Sequence, residues 1–425
     1  MTTGYWKLVH ENQDFRNLWF GQIVSLFGDW FNLIASASLV ASLTHSGLAV
    51  GGLFAVRMLA PFAVSPLAGV AADRYDRRKL LLLTDFVRAA VVLGFLFVRR
   101  PEHLWLLYVL TAVQLAMHGV FFPTRNAILP DIVSPPELGA ANALTATTWS
   151  VMLAVGAGAG GLVAGGFGLY PAFVIDSVTF LISAFFIIKV RYQKPRRALG
   201  KSNVRGALKE YGEGLRYLLA HRDVLVIALH KGALTFFVAG AYEVTQVAIA
   251  KDVFVIGEGG GIGLGLLYAA IGFGSGVGPI VTRSITGDSD RPMRVAMVLC
   301  YVTMSMGLAL MAPLASLHWA LAGAFVRAAG GGTLWVLSTQ LLLQTVPEKV
   351  RGRVFSTEYA LLTLAMATSA AMGGLALDSG LLSLSQLLGF LAAVVLAPGL
   401  LWALWVSRSG PKPGNHDASG HDSRA

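Results

Sequence analysis

Apolar runs of twenty or more residues recur from one end of this 425-residue chain to the other, each long enough to cross a bilayer as a helix. That recurrence constrains the fold more than any other feature. One soluble core could not absorb so many runs, and only 13% of the residues are charged, against about 25% in ordinary soluble proteins. The expectation is an all-α polytopic membrane protein with twelve transmembrane helices. They fall at about 15–43, 48–72, 79–98, 103–129, 138–165 and 169–188, then at about 223–250, 259–283, 293–313, 317–345, 354–377 and 381–407.

Between the two groups lies a basic connector, Lys189 to Asp223. Its second part, Val204 to Leu219, alternates charged and apolar residues at helical spacing and reads as a surface helix along the membrane. The polar tail after Arg408 is expected to be disordered. The chain therefore divides at 1–188, 189–222, 223–407 and 408–425. Lys and Arg concentrate in alternate gaps, with Arg99, Arg100 and Lys251 on the other side; this predicts that both termini face the cytoplasm. Nothing before the first span has the build of a cleavable signal peptide. The first spans of the two groups begin about 210 residues apart, and the gaps SPPELGAANAL (Ser134 to Leu144) and TVPEKVRGRVF (Thr345 to Phe355) echo each other. Two six-helix halves are the architecture of a large class of secondary transporters.

Net charge +10 could indicate nucleic acid, but the bases lie between spans rather than on one face of a soluble domain, so topology explains them and no nucleic-acid partner is expected. A single cysteine, Cys300, leaves no internal disulfide and no Cys-based metal site. The stretch GEGGGIGLG (Gly257 to Gly265) opens a transmembrane segment, follows no strand and lacks the Lys-Ser/Thr of a P-loop, so nucleotide binding is not expected. Catalytic signatures are missing too: no HExxH, no GxSxG. The chain reads as no enzyme, with no metal and no cofactor.

The densest charge cluster is GVAADRYDRRKL, Gly69 to Leu80. Between two spans it pins orientation. With Gly69, Ala72, Asp73, Arg74, Arg77, Arg78 and Lys79 it also resembles the signature loop between spans two and three of the major facilitator superfamily, departing at Ala71 and Asp76. Phe15 to Phe31, Gly119 to Leu144 and Val346 to Ser356 look like the branch that contains the enterobactin exporter and macrolide efflux proteins. The resemblance implies a latch. Asp73 would accept hydrogen bonds from the start of span eleven, near Val354, while Arg77 and Arg78 pair with nearby acids. In span five, AVGAGAGGLVAGG is similar to an element of the superfamily's exporters, with Ala157 where that element has Pro. Gly156, Gly160 and Gly161 either allow close packing alone or serve halves that rock against each other.

Ionisable groups at bilayer depth are functional candidates by default. Asp29 in span one, Arg57 in span two and Arg327 in span ten lie near mid-membrane, and Glu243 and Gln246 in span seven lie closer to the outer face. Asp29 and Arg57 could form a buried pair that fixes packing; an Asp29 free to change partner would bind and release protons. Asp85 and Arg88 read as a local ion pair, and Lys231, beside His230, as a snorkelling lysine. Asp176 and Glu358 fit either reading. Trp30, Phe237 and Trp335 would offer an apolar surface to a bulky amphipathic solute if they face a cavity.

These readings, with the resemblance, imply an exporter of a hydrophobic or amphipathic small molecule from the cytoplasm of a bacterium. It would be driven by proton antiport through the inner membrane, working as a monomer among lipids. An uptake or facilitated-diffusion carrier, a lipid scramblase and a membrane sensor remain the alternatives.

Overall fold

The structure, a computed structural model, describes residues 5–192, 204–287 and 289–408. Twelve helices are long and apolar enough to cross a membrane. Spans 1 to 6 are Gln13–Thr44, Gly47–Ala68, Arg77–Phe97, Pro101–Ile132, Leu138–Gly166 and Leu169–Ile188. Spans 7 to 12 are Arg222–Val253, Glu258–Thr286, Asp290–Met311, Leu317–Thr345, Val350–Asp378 and Leu384–Arg408. No strand occurs among the described residues. Helices predominate because a backbone group without an internal partner costs several kcal/mol in hydrocarbon. The expected tail, 409–425, lies outside the described residues.

Several span starts carry the caps their sequence advertises. Ser46 Oγ accepts from the Ala49 N–H at 3.1 Å, and Asp76 from the Lys79 N–H at 2.9 Å. Ser383 and Gln386 form a reciprocal capping box. The helix of span 11 starts at Glu348, two turns before the expected Val354. Pro347 cannot extend a helix backwards but suits its start, and the charged residues after it continue the helix beyond the apolar part.

Spans 1 to 6 pack chiefly on one another, as do spans 7 to 12. Spans 5 and 8 join the two groups, and so do spans 2 and 11. With twelve spans, span 1 starts and span 12 ends on one face, here called proximal; the other is distal. A helix, Val204–Ala220, stands where the connector helix was expected. It docks on the proximal end of span 11: Glu213 pairs with Arg353 at 3.1 Å, and Gly214 lies against the Arg353 carbonyl.

The joints between the groups cluster in the distal half. A Cβ on Gly161 would stand 2.6 Å from the Gly265 Cα, and one on Gly272 would stand 2.6 Å from the Ala154 nitrogen. Glycine at these positions lets spans 5 and 8 touch backbone to backbone. Spans 2 and 11 meet similarly at Gly51 with Ala370 and at Gly47 with Gly374. Nearer the proximal face, Gly276 of span 8 has open space where a side chain would be.

Span 7 departs from a simple helix. Thr235–Ala239 and Ile249–Val253 are π turns that flank the α-helical Gly240–Ala248. The Ala241 N–H donates to Ser369 Oγ of span 11 at 3.0 Å, which satisfies a backbone donor at the first irregularity.

Candidate functional site

In the first group, a guanidinium holds the site together. Arg88 of span 3 is 1% exposed and sends Nη2 to both oxygens of Asp29, each at 2.8 Å. Its Nη1 lies 3.5 Å from Asp85 Oδ1. The Phe180 ring covers it at 3.9 Å, with Phe121 at 5.6 Å. The pair expected between Asp29 and Arg57 is therefore replaced by Asp29–Arg88. A fully enclosed guanidinium needs acceptors around its plane, and Asp29 supplies two of them. The local Asp85–Arg88 pair is present, but as one arm of a larger cluster. His118 Nδ1 of span 4 stands 4.0 Å from Asp29 Oδ2.

Asp176 of span 6 is fully buried; its Oδ2 accepts from Gln114 Nε2 at 3.4 Å, and its Oδ1 has no hydrogen-bond partner. Space for that carboxylate comes from Gly28, where a Cβ would stand 2.5 Å from Oδ1.

The second group contributes a matching layer. Glu243 accepts 2.5 Å bonds from the Tyr268 hydroxyl and from Gln246 Nε2. Trp30 of span 1 packs on Tyr268 of span 8 with ring centroids 5.6 Å apart, so the layer crosses between groups. Arg327 lies over the Tyr242 ring at 3.8 Å. Arg57, Glu243, Tyr268 and Arg327 each lie ten residues in from the distal ends of their spans, Gly47, Val253, Glu258 and Leu317. At 1.5 Å per residue that is about 15 Å, near the middle of a core about 30 Å thick. Both Arg57 and Arg327 act electrostatically on Glu243. Arg57 and Arg327, expected at mid-depth, thus share one level with Tyr268 and with Glu243, which was expected nearer the outer face, and Gln246 lies beside them.

Of the expected aromatics, Trp30 reaches the joint between groups and also lies against Gly156. A Cβ on Gly160 would stand 3.1 Å from the Phe31 Cα, and Gly161 makes the Gly265 contact. Trp335 is 42% exposed, and Lys231 Nζ stands 5.0 Å from its ring centroid. Phe237 is similarly half-exposed and meets Phe236 edge-on. Lys231 does not snorkel: it is 3% exposed and pairs with Glu358 of span 11 at 3.1 Å. Span 11 offers a carboxylate at the same depth, which removes the need to reach water. Next to it, His230 Nδ1 lies 2.7 Å from the Tyr301 hydroxyl.

At the proximal face, the backbone of Gly69, Asp73 and Arg74 belongs to the helix of span 2, but their side chains fall outside those described. Arg77 donates to Asp131 at 2.6 Å and to the Ala127 carbonyl at 2.9 Å, the expected pairing with an acid. Arg78 instead donates to the Ile188 carbonyl. Its arm reaches the carboxyl end of span 6, where carbonyls lack helical partners.

The distal face carries a closure the sequence reading did not find. Asp378, the last residue of span 11, accepts from Ser46 Oγ at 2.5 Å, from the Gly47 N–H at 2.5 Å and from the Leu48 N–H at 3.0 Å. Lys251 of span 7 donates to the Ala41 carbonyl at the end of span 1, with His45 Nδ1 2.9 Å away. An anion thus caps a helix start and a cation a helix end, each across the groups. A cavity of about 320 Å³ lies between them, lined in part by His45, Gly47, Val50, Lys251 and Asp378. Ser46 before a run of small and apolar residues was a readable cap signal; its partner, more than three hundred residues away, was not.

Residues 18–357 match the family model described as Major Facilitator Superfamily. The chain is 30% identical over 353 residues to a protein of Bacillus amyloliquefaciens named as a bacilysin exporter, BacE, covering 82% of this chain and 85% of that one. It is 25% identical over 366 residues to the multidrug resistance protein MdtG of Salmonella arizonae, covering 84% of each. Among solved structures, a bacterial homologue of the iron transporter ferroportin in an inward-facing state superposes with a TM-score of 0.67 at 17% identity, over 93% of this chain and 98% of that one. A peptide-transporter-family protein bound to 5-aminolevulinic acid superposes with a TM-score of 0.72 at 11% identity, over 92% of this chain and 96% of that one.

Proposed function

We propose, from the premise that this chain belongs to the major facilitator superfamily, that it exports a hydrophobic or amphipathic small molecule from a bacterial cytoplasm in exchange for protons. Membership makes the chain a multi-pass membrane transporter rather than an enzyme. Export rests on one observation above the others, the likeness along most of both chains to a protein named as an exporter; the likeness to a multidrug resistance protein points the same way.

In this reading the proximal face, which holds both termini and most of the bases, is cytoplasmic. Solute enters from there while the distal joints hold the other side shut. The proton acts at Asp29. Its side chain is 18% exposed, whereas those of Arg88 and Asp85 are 1% and 0% exposed, so water reaches Asp29 first. A proton on Asp29 removes the charge that holds Arg88, and Arg88 turns toward Asp85, already 3.5 Å away. His118 is placed to pass the proton on. Exchange of partner at one guanidinium then shifts span 1 against spans 3 and 6, and with span 1 the Trp30–Tyr268 contact. The protein works as a monomer, with the solute, protons and lipid as its only partners.

The test is accumulation of a panel of amphipathic dyes in a host stripped of its own efflux pumps. Cells expressing the protein should retain less of at least one dye than cells expressing Asp29→Asn, and a proton uncoupler should erase the difference. Export that persists unchanged with the uncoupler would remove proton coupling; uptake in place of depletion would reverse the direction.

A further inference from the structure

We propose that the solute is an organic anion, and that Arg57 and Arg327, one from each group, hold its carboxylate or equivalent oxyanion. This deepens the transport reading and rests on it. Two guanidiniums stand at the same depth in the layer around Glu243, and neither has a carboxylate within ion-pair distance among the described residues. Arg57 is half-buried and makes no hydrogen bond there. Arg327 is 9% exposed, its plane lies on the Tyr242 ring and its Nε has no acceptor.

The carboxylates that could serve them are committed elsewhere. Asp29 gives both oxygens to Arg88, and Glu243 is taken by Tyr268 and Gln246. Asp85 and Asp176 are wholly enclosed within the first group. A guanidinium carries five N–H donors in a flat fork that matches a carboxylate, and buried donors left without acceptors are costly. An anion entering between the groups would satisfy both forks. Trp30 and Tyr268, at the same joint, would cover its apolar body. Because the two arginines come from different groups, the anion would bridge the parts that must move.

Three probes with one apolar body separate the charge: biphenylacetate, biphenylacetamide and biphenylmethylammonium. Binding is measured on the purified full-length protein by calorimetry, with melting temperature as a check on folding. Biphenylacetate should bind about tenfold or more tightly than the amide, the loss of one charge-assisted contact being of that size. Arg57→Gln and Arg327→Gln should each bring it down to the amide's affinity without altering the amide's own, and Arg57→Lys should keep part of the preference. The proposal is overturned if the ammonium binds as well as the carboxylate, if the preference survives both substitutions, or if the carboxylate does not bind at millimolar concentration. Flux in proteoliposomes keeps the two readings apart. A carboxylate that binds as expected but ignores a proton gradient defeats antiport and leaves this site standing; gradient-driven flux of the ammonium with no carboxylate binding does the reverse.

Discussion

Asp378 sits on the amino end of the helix that begins at Gly47, its Oδ1 2.5 Å from the Gly47 N–H. The contact joins the last residue of span 11 to the first turn of span 2. It lies at the opposite ends of these spans from the latch that the family resemblance would imply at Asp73.

Asp378→Ala should therefore loosen the distal side. Three charge-assisted bonds are lost, each worth about 1.5–3 kcal/mol before solvent screening. With Cys300→Ala as background and a reporter at Val50→Cys, which is 3% exposed and lines the distal cavity, labelling by a membrane-impermeant maleimide should rise at least about tenfold. Equal labelling with and without Asp378 would strip it of a gating role.

The Asp29–Arg88 pair makes a double-mutant prediction. Asp29→Asn leaves an enclosed guanidinium short of its counter-charge and should cost about 3 kcal/mol of stability, visible as a lower melting temperature. Adding Arg88→Gln should recover only part of that stability, since it takes the partner from the enclosed Asp85, while leaving transport abolished. Recovery of transport in the double variant would show that the pair serves packing alone.

Lys231 and Glu358 form the corresponding pair in the second group. Lys231→Met should destabilise by about 3–5 kcal/mol by stranding Glu358, and Lys231→Met with Glu358→Leu should be near neutral. Melting curves of the wild type and the two variants decide it. Full stability in the single variant would mean that water reaches Glu358.

The joint between spans 5 and 8 predicts a steric block. Gly161→Leu drives a side chain into the Gly265 backbone and should prevent distal closure, raising Val50→Cys labelling as Asp378→Ala does. Gly166→Ala, with nothing within 4 Å, is the matched control and should behave as wild type.

The spans and the connector helix were legible because hydropathy is local: an apolar run long enough to cross lipid has few other options. Arg77 was legible for the same reason, since an arginine beside a short loop meets whatever acid the adjoining loop offers. The partners of Asp29 and Lys231 were not. Depth along a span follows from residue number, but rotation about the helix axis decides whether Asp29 meets Arg57 or Arg88, and the near-uniform apolarity of these spans leaves no periodic face to fix it. Closeness between distant segments, such as Asp378 with Ser46, has no trace in either segment alone.

The two π turns of span 7 have a consequence for its register. A π turn accommodates one residue more than an α turn, so whatever follows it is rotated by about 100° relative to an unbroken helix. Glu243 and Gln246 lie just past the first such insertion. Deleting a single residue between Thr235 and Ala239 would straighten the rod, swing both side chains a quarter-turn or more away from Tyr268, and carry the Lys251 cap off the end of span 1. Through that extra residue, the alignment of the mid-membrane layer and the seal above it are set together.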